Sequence, residues 1–305
     1  MKTQTIKRCI ILVLVYVCIQ LSFAQPVQTS REAEKQLSAP VKKEGFNFMV
    51  FGDRTGSDDA KATIAWGKAI QNANRMQPSF VMTVGDLIQG YEGRESWLQQ
   101  KDSFLETTNK LTMPWYPAAG NHDIYWMRNT EGRPNDHHES DYETHFGPLW
   151  YAFEHENCWF IILFSDEGDP ISGEKATGTP ALQKMSDEQF TWLTEILDEA
   201  KDAEHVFLFL HHPRWRGGGY GDDWNKVHRA LVDAGNVSAV FAGHTHSPAY
   251  QQTDGIDYYT LGTTGGVMSE QSPIGRHLFY WVSVQRGDYQ IIGIPLDSLI
   301  DPQAQ

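Results

Sequence analysis

Five short polar motifs in this chain each follow directly after a run of apolar residues. In chain order they read Gly52-Asp53-Arg54-Thr55-Gly56, Gly85-Asp86, Gly120-Asn121-His122-Asp123, His211-His212-Pro213 and Gly243-His244-Thr245-His246. Short apolar runs predict buried strands, and ligand sites in parallel α/β sheets lie outside the carboxyl ends of the strands. Asp, Asn and His side chains are ligands of divalent metal ions. Together the motifs predict one metal site along one edge of a sheet.

The segments that carry and separate the motifs alternate between strand-like and helix-like patterns. Strands are predicted over residues 46–51, 79–84, 115–119, 205–210 and 237–242, and helices over 58–76, 96–111, 186–200 and 224–234. A hairpin is predicted within 150–166, and further strands at 257–261, 277–285 and 289–294. The strand, helix, strand order implies parallel pairing through crossovers, so the predicted fold class is α/β.

The N-terminus has the pattern of a secretory signal peptide. Lys2, Lys7 and Arg8 precede an apolar run over 9–21, and small residues follow up to Ala24. We therefore predict a signal peptide over 1–24, a flexible linker over 25–44 and a single domain over 45–305. The protein is then exported, periplasmic or secreted, and keeps no stable membrane span once the signal is cleaved. An uncleaved N-terminal anchor is the alternative.

Charge and cysteine content restrict the partners and the bonds that hold the chain together. The formal net charge is −14, which argues against a nucleic acid duplex because its phosphates are repelled. A small phosphorylated substrate stays compatible, since bound dications invert the local field. Cys158 is the one cysteine outside the predicted signal peptide, so no intrachain disulfide is expected. The pattern leaves the oligomeric state open.

The five motifs, taken in this order, resemble the calcineurin-like metallophosphoesterase superfamily and its purple acid phosphatase-like branch. The resemblance covers roughly residues 46–265. It implies a four-layer α/β/β/α sandwich and a hydrolase that cleaves phosphate ester bonds with a dinuclear metal centre and metal-bound water. A phosphomonoesterase is the simplest expectation. A phosphodiesterase acting on nucleotides or lipid head groups, or a non-catalytic single-metal binding protein of the same fold, are the alternatives.

The resemblance also implies a role for each motif residue. Asp86 would bridge two metal ions, with Asp53 and His246 on the first ion. The second ion would take Asn121, His211 and His244. His122 would contact the phosphate or protonate the leaving oxygen, and Asp123 would orient His122. Two divalent or mixed-valence ions are expected, with Fe, Mn or Zn favoured because three ligands are histidines.

Residues next to these ligands are candidates for contacts with the substrate. Arg54 follows Asp53 and could bind a phosphate oxygen, although an ion-paired Arg54 is an equal alternative. His212 follows His211 and is expected to contact the substrate or support a ligand. Substrate specificity is expected to depend on the loops 128–147, 166–180 and 214–223. Their sequences do not identify the substrate.

The first motif departs from the family pattern. Most members have a metal-binding histidine where this chain has Thr55, and purple acid phosphatases instead use a tyrosine whose position here is Gln89. Threonine is a poor ligand for a transition metal. Thr55 and Gln89 are therefore uncertain neighbours of the first metal, which we expect to bind more weakly than the second. Thr55 or Ser57 is alternatively expected to cap the helix that follows.

Overall fold

The structure is a computed structural model, and it describes most of the chain after the predicted signal peptide. The described residues are 26–40, 45–90, 93–124, 127–128, 134–135, 137–167, 185–216, 223–268, 270, 272, 274–285 and 287–299. The predicted signal peptide over 1–24 lies outside them. Parts of the three predicted specificity loops do so as well. Within the described residues, no helix has both the length and the apolar character needed to cross a bilayer.

The strand and helix predictions are confirmed to within a few residues. The strands of the two main sheets and of one short pair are β1 Phe46–Phe51, β2 Phe80–Thr83, β3 Trp115–Tyr116, β4 Met127–Arg128, β5 Pro134–Asn135, β6 Tyr151–His155, β7 Cys158–Ile162, β8 His205–Phe209, β9 Val237–Ala242, β10 Ala249–Thr253, β11 Ile256–Thr260, β12 Leu278–Gln285 and β13 Asp288–Pro295. The helices are α1 Asp59–Met76, α2 Arg94–Thr108, α3 His137–His145, α4 Asp187–Glu199 and α5 Trp224–Ala234.

Helix α3 and strand β10 differ from the sequence-based expectation, as do the short strands β4 and β5. Helix α3 lies within 128–147, which was predicted as a loop because its residues are polar and show no apolar face. Strand β10 was not predicted, and all five of its residues are exposed. It is the edge strand of its sheet and is exposed on both faces, so it shows no alternation of buried and exposed positions. Helix α3 and strand β10 therefore lack the regular spacing of apolar residues by which a sequence predicts a helix or a strand.

The strands form two mixed sheets. One has the order β13-β12-β1-β2-β3, with β1, β2 and β3 parallel. The other has the order β10-β11-β9-β8-β7-β6, with β7, β8 and β9 parallel. The predicted hairpin is confirmed as the antiparallel pair β6 and β7. Strand β12 pairs with β1 in antiparallel register, so the chain returns to the first sheet at its C-terminal end.

The two sheets pack face to face through aromatic side chains, and helices cover their outer faces. The ring of Phe48 on β1 lies 5.2 Å from that of Phe160 on β7. Alternate residues of β1 point the other way, and the ring of Phe51 lies 5.2 Å from that of Trp66 on α1. Buried residues of α4 and α5, including Leu193 and Leu231, belong to the outer core as well. The predicted α/β/β/α sandwich is therefore confirmed.

The five motifs do not lie along one edge of one sheet, as their pattern alone predicted. Three follow β1, β2 and β3 of the first sheet, and two follow β8 and β9 of the second. The carboxyl ends of both sets meet where the two sheets face each other. The expectation of a single edge was wrong because the motif strands do not all pair with one another. Strand β1 has β12 as its second neighbour, and β8 and β9 have β7 and β11, none of which carries a motif.

The helix after the first motif begins with a cap that the sequence-based expectation missed. Asp58 is the N-cap of α1, and its carboxylate accepts hydrogen bonds from the backbone amides of Ala60 and Lys61. Neither Thr55 nor Ser57 caps the helix, since the Ser57 hydroxyl donates to the carbonyl of Gly265. The N-cap of α4 is Ser186, whose hydroxyl accepts a hydrogen bond from the backbone amide of Gln189.

Residues 26–40 differ from the flexible linker that their composition predicts. Gln28 and Ala152 of β6 exchange two backbone hydrogen bonds of 2.6 Å, which pair the outer edge of that strand. Arg31 makes a bidentate contact with Glu143, and Leu37 is buried. An exposed strand edge leaves backbone groups unpaired, and this segment covers it. Residues 26–40, which we call the N-terminal strap, are therefore packed against the domain although their composition is polar.

Candidate metal centre

The four residues predicted for the second metal ion are brought together. The Nε2 atom of His211 lies 3.0 Å from Oδ1 of Asn121, 3.2 Å from Nδ1 of His244 and 3.3 Å from Oδ1 of Asp86. His211 and Asp86 are buried, and Asn121 is nearly so. These residues come from β2, β3, β8 and β9, so the pocket exists because both sheets end at the same place.

The hydrogen bonding of His211 shows that this pocket fits a cation. Nδ1 of His211 lies 2.8 Å from the carbonyl oxygen of Val84, which can only accept. In the neutral ring the proton is therefore on Nδ1, and Nε2 presents a lone pair to its neighbours. Those neighbours include two oxygen atoms that are acceptors. A set of acceptors directed at one point fits a divalent ion with mixed nitrogen and oxygen ligands.

The first pocket contains the predicted pair of Asp53 and His246. Oδ2 of Asp53 lies 3.1 Å from Nε2 of His246 and accepts a 2.7 Å hydrogen bond from the backbone amide of His244. Nδ1 of His246 lies 2.6 Å from the carbonyl of Val267, so Nε2 again faces the site. Oδ1 of Asp53 is buried and has no hydrogen-bond partner among the described residues. An unpaired buried carboxylate oxygen is costly unless a cation binds it.

The backbone at the strand ends is closely packed and unusually folded. A β-carbon on Gly243 would lie 2.1 Å from Oδ1 of Asp53, and one on Gly120 would lie 2.3 Å from Oδ1 of Asp86. Asp86, His244 and His246 all have positive φ, at 57°, 67° and 54°. Such φ values are uncommon outside glycine and often mark functional sites. The two glycines thus leave the space that the two ligand carboxylates occupy.

The charges of the pocket residues shift one another's pKa values. Burial alone would raise the pKa of Asp86, yet the nearby His211, His122 and His244 hold it below its usual value. Burial and the charge of His211 lower the pKa of His244 to about 4. Burial opposes the charge of His246 as well, but its hydrogen bond with Asp53 raises its pKa to about 9. His246 therefore holds a proton at neutral pH, whereas His244 stays neutral.

His122 lies beside both pockets, but its orientation has a different cause from the predicted one. Its Nε2 is 3.9 Å from Oδ2 of Asp86, and its backbone amide donates to Oδ1 of the same carboxylate. Its Nδ1 lies 2.7 Å from the carbonyl oxygen of Gln89. The main chain of Gln89 therefore holds the ring, whereas Asp123 was predicted to do so. A backbone carbonyl has no side-chain signature, although Gly90, which follows with φ of 67°, marks the turn.

Asp123 instead organises the backbone of the site. Its fully buried carboxylate accepts hydrogen bonds from four backbone amides, and these belong to Asp86, Leu87, Ile88 and Gly120. The bonds measure between 2.8 and 3.1 Å. One carboxylate thus ties the turn after β2 to the turn after β3, which places Asp86 and Asn121 in register.

Arg54 does not face the site, so its predicted contact with a phosphate oxygen was wrong. Its guanidinium is buried and donates to the carboxylate of Asp59, the hydroxyl of Thr63 and the carbonyl of Leu87. These partners lie on α1 and after β2. The alternative of an ion-paired arginine holds, with Arg54 fastening the first helix to the strand ends.

Thr55 and Gln89 lie next to the first pocket, as expected from their positions. The Thr55 hydroxyl, fully buried, donates a 3.0 Å hydrogen bond to Oδ2 of Asp86. The side-chain oxygen of Gln89 accepts from the amide of Gly56, and its nitrogen donates to the carbonyl of Ser57 at 3.4 Å. The amide of Gln89 is therefore bound to the first loop.

His212 supports the second pocket from behind. Its backbone amide donates to the hydroxyl of Ser165, and the same hydroxyl lies 3.2 Å from its Nδ1. Its ring lies 4.3 Å from the ring of His244, measured between centroids. The imidazoles of His211, His212 and His244 are close enough to hold one ion. His212 is completely buried and lies against His244, so it is placed to support the candidate ligands and not to contact a substrate that arrives from solvent.

The comparison with protein families agrees with this geometry. The model of the calcineurin-like phosphoesterase family matches residues 46–248, a stretch that contains all five motifs. A protein of Arcobacter nitrofigilis named probable glycerophosphodiester phosphodiesterase is 29% identical over 142 residues. That match spans 47% of this chain and 44% of the relative, so this chain matches less than half of the relative's length.

Two solved structures share the fold at low sequence identity. A dimetal phosphatase from Danio rerio has a TM-score of 0.63 and 17% identity, over 82% of this chain and 96% of that one. GAP50, described as the anchor in the inner membrane complex of Plasmodium, has a TM-score of 0.56 and 15% identity, over 84% and 86% of the two chains. At these identities the similarity establishes the architecture alone.

Proposed function

The chain belongs to the calcineurin-like phosphoesterase family, and from that premise we propose that it is an exported, metal-dependent phosphomonoesterase. The observation that carries the proposal is the convergence of ligand atoms on Asp86, whose two oxygens face the two pockets. A pair of divalent ions, when bound, polarises phosphoryl oxygens and makes water nucleophilic at neutral pH. Iron, manganese or zinc suits the mixture of imidazole and carboxylate ligands.

The side chains around the site divide the remaining work. Because Nδ1 of His122 is held by the carbonyl of Gln89, its Nε2 is the atom that can carry a proton to the leaving oxygen. Asp123 keeps the ligand-bearing turns in place through four backbone amides. His212 and Ser165 fix the position of the neighbouring ligand loop. None of these groups has to form a covalent bond with the phosphate.

Charge matching favours a phosphate monoester. Two divalent ions set against the carboxylates of Asp53 and Asp86 leave a net charge of about +2, with the histidine ligands neutral. A phosphate monoester carries a charge of about −1.5 to −2 near pH 7. The buried arginines near the site, Arg54 and Arg214, are paired with Asp59 and Asp223 and add no free charge. The ions themselves therefore supply the complement to the dianion.

A phosphodiesterase is the second candidate, and the name of the Arcobacter nitrofigilis relative favours it. An aryl phosphate monoester and the corresponding diester, supplied to protein reconstituted with manganese, distinguish the two. We expect a higher kcat/KM for the monoester. Preference for the diester by an order of magnitude would replace the first candidate with the second. Asp86→Ala and Asn121→Ala should abolish both reactions.

The fold also occurs in a protein described as an anchor, so catalysis does not follow from architecture. Metal analysis of purified protein tests the non-catalytic alternative. Two ions per chain together with turnover support the enzyme, whereas one ion with no turnover of either ester would make it a binding protein. Export is tested separately by the mass of the mature chain, which should begin at Gln25.

A further inference from the structure

Thr55 stands where most family members have a metal-binding histidine, and the structure gives it a specific partner. Its side chain is completely buried, and its hydroxyl donates to Oδ2 of Asp86 at 3.0 Å. The main chain around it is held firmly, because the carbonyl of Thr55 accepts from the amide of Val267. A β-carbon on Gly266 would lie 2.6 Å from that same carbonyl. The hydroxyl is thus directed at the carboxylate by a tightly packed backbone.

The two oxygens of Asp86 have different surroundings. Oδ1 accepts from the backbone amide of His122 and lies 3.3 Å from Nε2 of His211, on the side of the second pocket. Oδ2 accepts from Thr55 and lies on the side of the first pocket. One donor therefore holds each oxygen, and Asp86 itself has a strained φ of 57°. Loss of the Thr55 hydroxyl would remove the hydrogen bond that holds Oδ2 in this orientation.

We propose that Thr55 is a positioning residue, which orients the bridging carboxylate toward the first metal ion without binding that ion. The hydroxyl stabilises one rotamer of Asp86 in which Oδ2 has a lone pair directed at the first pocket. Asp53, Asp86 and His246 then form the protein ligand set of that pocket. The hydroxyl compensates for the absent histidine by fixing the orientation of the Asp86 carboxylate. The inference rests on the proposed dinuclear centre, and it is independent of which ester is cleaved.

Titration of the metal-free protein with Mn²⁺, followed by calorimetry, tests the inference without reference to activity. The wild-type chain should show two binding events of unequal affinity. Thr55→Val, which keeps the shape but removes the donor, should weaken the weaker event about tenfold, the size expected for a hydrogen bond to a charged group. The tighter event should change less than about twofold. Thr55→Ser keeps the hydroxyl and should restore the weaker event.

Two further variants make the outcome decisive. Thr55→Ala removes the same donor without a branched side chain, so the result does not depend on whether valine fits. Thr63→Val removes a hydroxyl on α1 that accepts a hydrogen bond from Arg54, and it should leave both Mn²⁺ binding events unchanged. The inference is overturned by a weaker event that is unchanged or tightened in both Thr55→Val and Thr55→Ala, or by an equal loss in both events.

The result separates this inference from the proposed function. Unequal Mn²⁺ binding that responds to Thr55, in a protein that cleaves neither ester, overturns the phosphoesterase and leaves Thr55 as a positioning residue. Turnover of an ester, together with Mn²⁺ binding that is unchanged in the Thr55 variants, supports the phosphoesterase and overturns the positioning role of Thr55. A wild-type chain that binds none of Mn²⁺, Zn²⁺ and Fe²⁺ overturns both.

Discussion

Main-chain carbonyls orient three of the imidazoles at the site. Nδ1 of His211, His246 and His122 lies against the carbonyl of Val84, Val267 and Gln89, respectively. In each neutral ring this places the proton on Nδ1 and leaves Nε2 for the site. A carbonyl cannot change its charge, so it orients a ring without adding a negative charge beside the metal. The negative charge of the site is thus concentrated on Asp53 and Asp86.

Binding of the first ion should release a proton. The pKa of His246 is raised to about 9 in the metal-free protein, so at pH 7 an ion must displace that proton. The affinity of the first pocket should then fall about tenfold per pH unit below pH 9. Calorimetric titration with Mn²⁺ in buffers of different ionisation enthalpy measures the protons released. His246→Gln should remove about one of them, and an unchanged count would contradict the assignment.

The same group makes the stability of the metal-free protein depend on pH. Because the folded pKa of about 9 exceeds that of a free histidine, the stabilisation is fully present below pH 6.5 and is lost as pH rises through 9. The free energy of unfolding should decrease by up to about 3 kcal/mol over that window. Urea denaturation of metal-free protein at pH 6 and pH 9.5 measures it, with His246→Gln as the reference that lacks the effect.

Asp123→Asn should destabilise the protein. The carboxylate accepts from four buried amides, and an amide group in its place would direct its own N–H groups at some of these donors. We expect a loss of about 2–4 kcal/mol in the free energy of unfolding. Asp102→Asn, an exposed carboxylate on α2, serves as the control. Unchanged stability with a shifted pH–rate profile would return Asp123 to the role of orienting His122.

At the scale of elements, each motif is the end of a strand and its turn, and glycine decides how closely the turns approach. Gly85, with φ of 94°, lies so close to His211 that a β-carbon would be 2.8 Å from its Nδ1. Gly243 and Gly120 meet the two ligand carboxylates in the same way. The pattern of glycine before a candidate ligand therefore reflects close contact between strand ends, within one sheet at Gly120 and between the two sheets at Gly85 and Gly243.

Gly243→Ala should impair metal binding more than it impairs folding. The added β-carbon would lie 2.1 Å from Oδ1 of Asp53, so that carboxylate must move. We expect at least about a tenfold loss of Mn²⁺ affinity in the first pocket. Gly67→Ala is the matched control on α1, where the new β-carbon makes an ordinary 4.0 Å contact and should stabilise by about 0.5–1 kcal/mol. Equal Mn²⁺ affinities in the two variants would refute the prediction.

At the scale of the whole molecule, the N-terminal strap connects the open edges of both sheets. The carbonyl of Ser38 accepts from the hydroxyl of Tyr116 on β3, and Gln28 pairs with Ala152 on β6. These strands are the outer strands of their sheets on one side of the sandwich. Arg31 adds a bidentate contact with Glu143 on α3. The strap thus closes one side of the molecule, while the candidate metal ligands lie elsewhere.

A chain that begins at residue 41 should be less stable than one that begins at residue 25. It loses the backbone pairing of β6 and the buried side chains of Leu37 and Ala39, so we expect a Tm lower by about 5–10 °C and a greater tendency to aggregate. Differential scanning calorimetry of both chains measures this. Mn²⁺ affinity should be the same in both. Equal Tm values would mean that the strap adds no stability in solution.

The sequence by itself determined most of the strands and helices and identified the candidate ligand residues. Apolar runs, the Ser186 cap and the glycine before Asp53, Asp86, Asn121 and His244 are local signals, and the structure agrees with them at β1, β9 and the start of α4. The tertiary structure decided which strands share a sheet, so it moved the site from one edge to the junction of two sheets. It also turned Arg54 toward α1 and gave His122 the Gln89 carbonyl. Those outcomes depend on contacts between residues distant in sequence, and local periodicity carries no information about them.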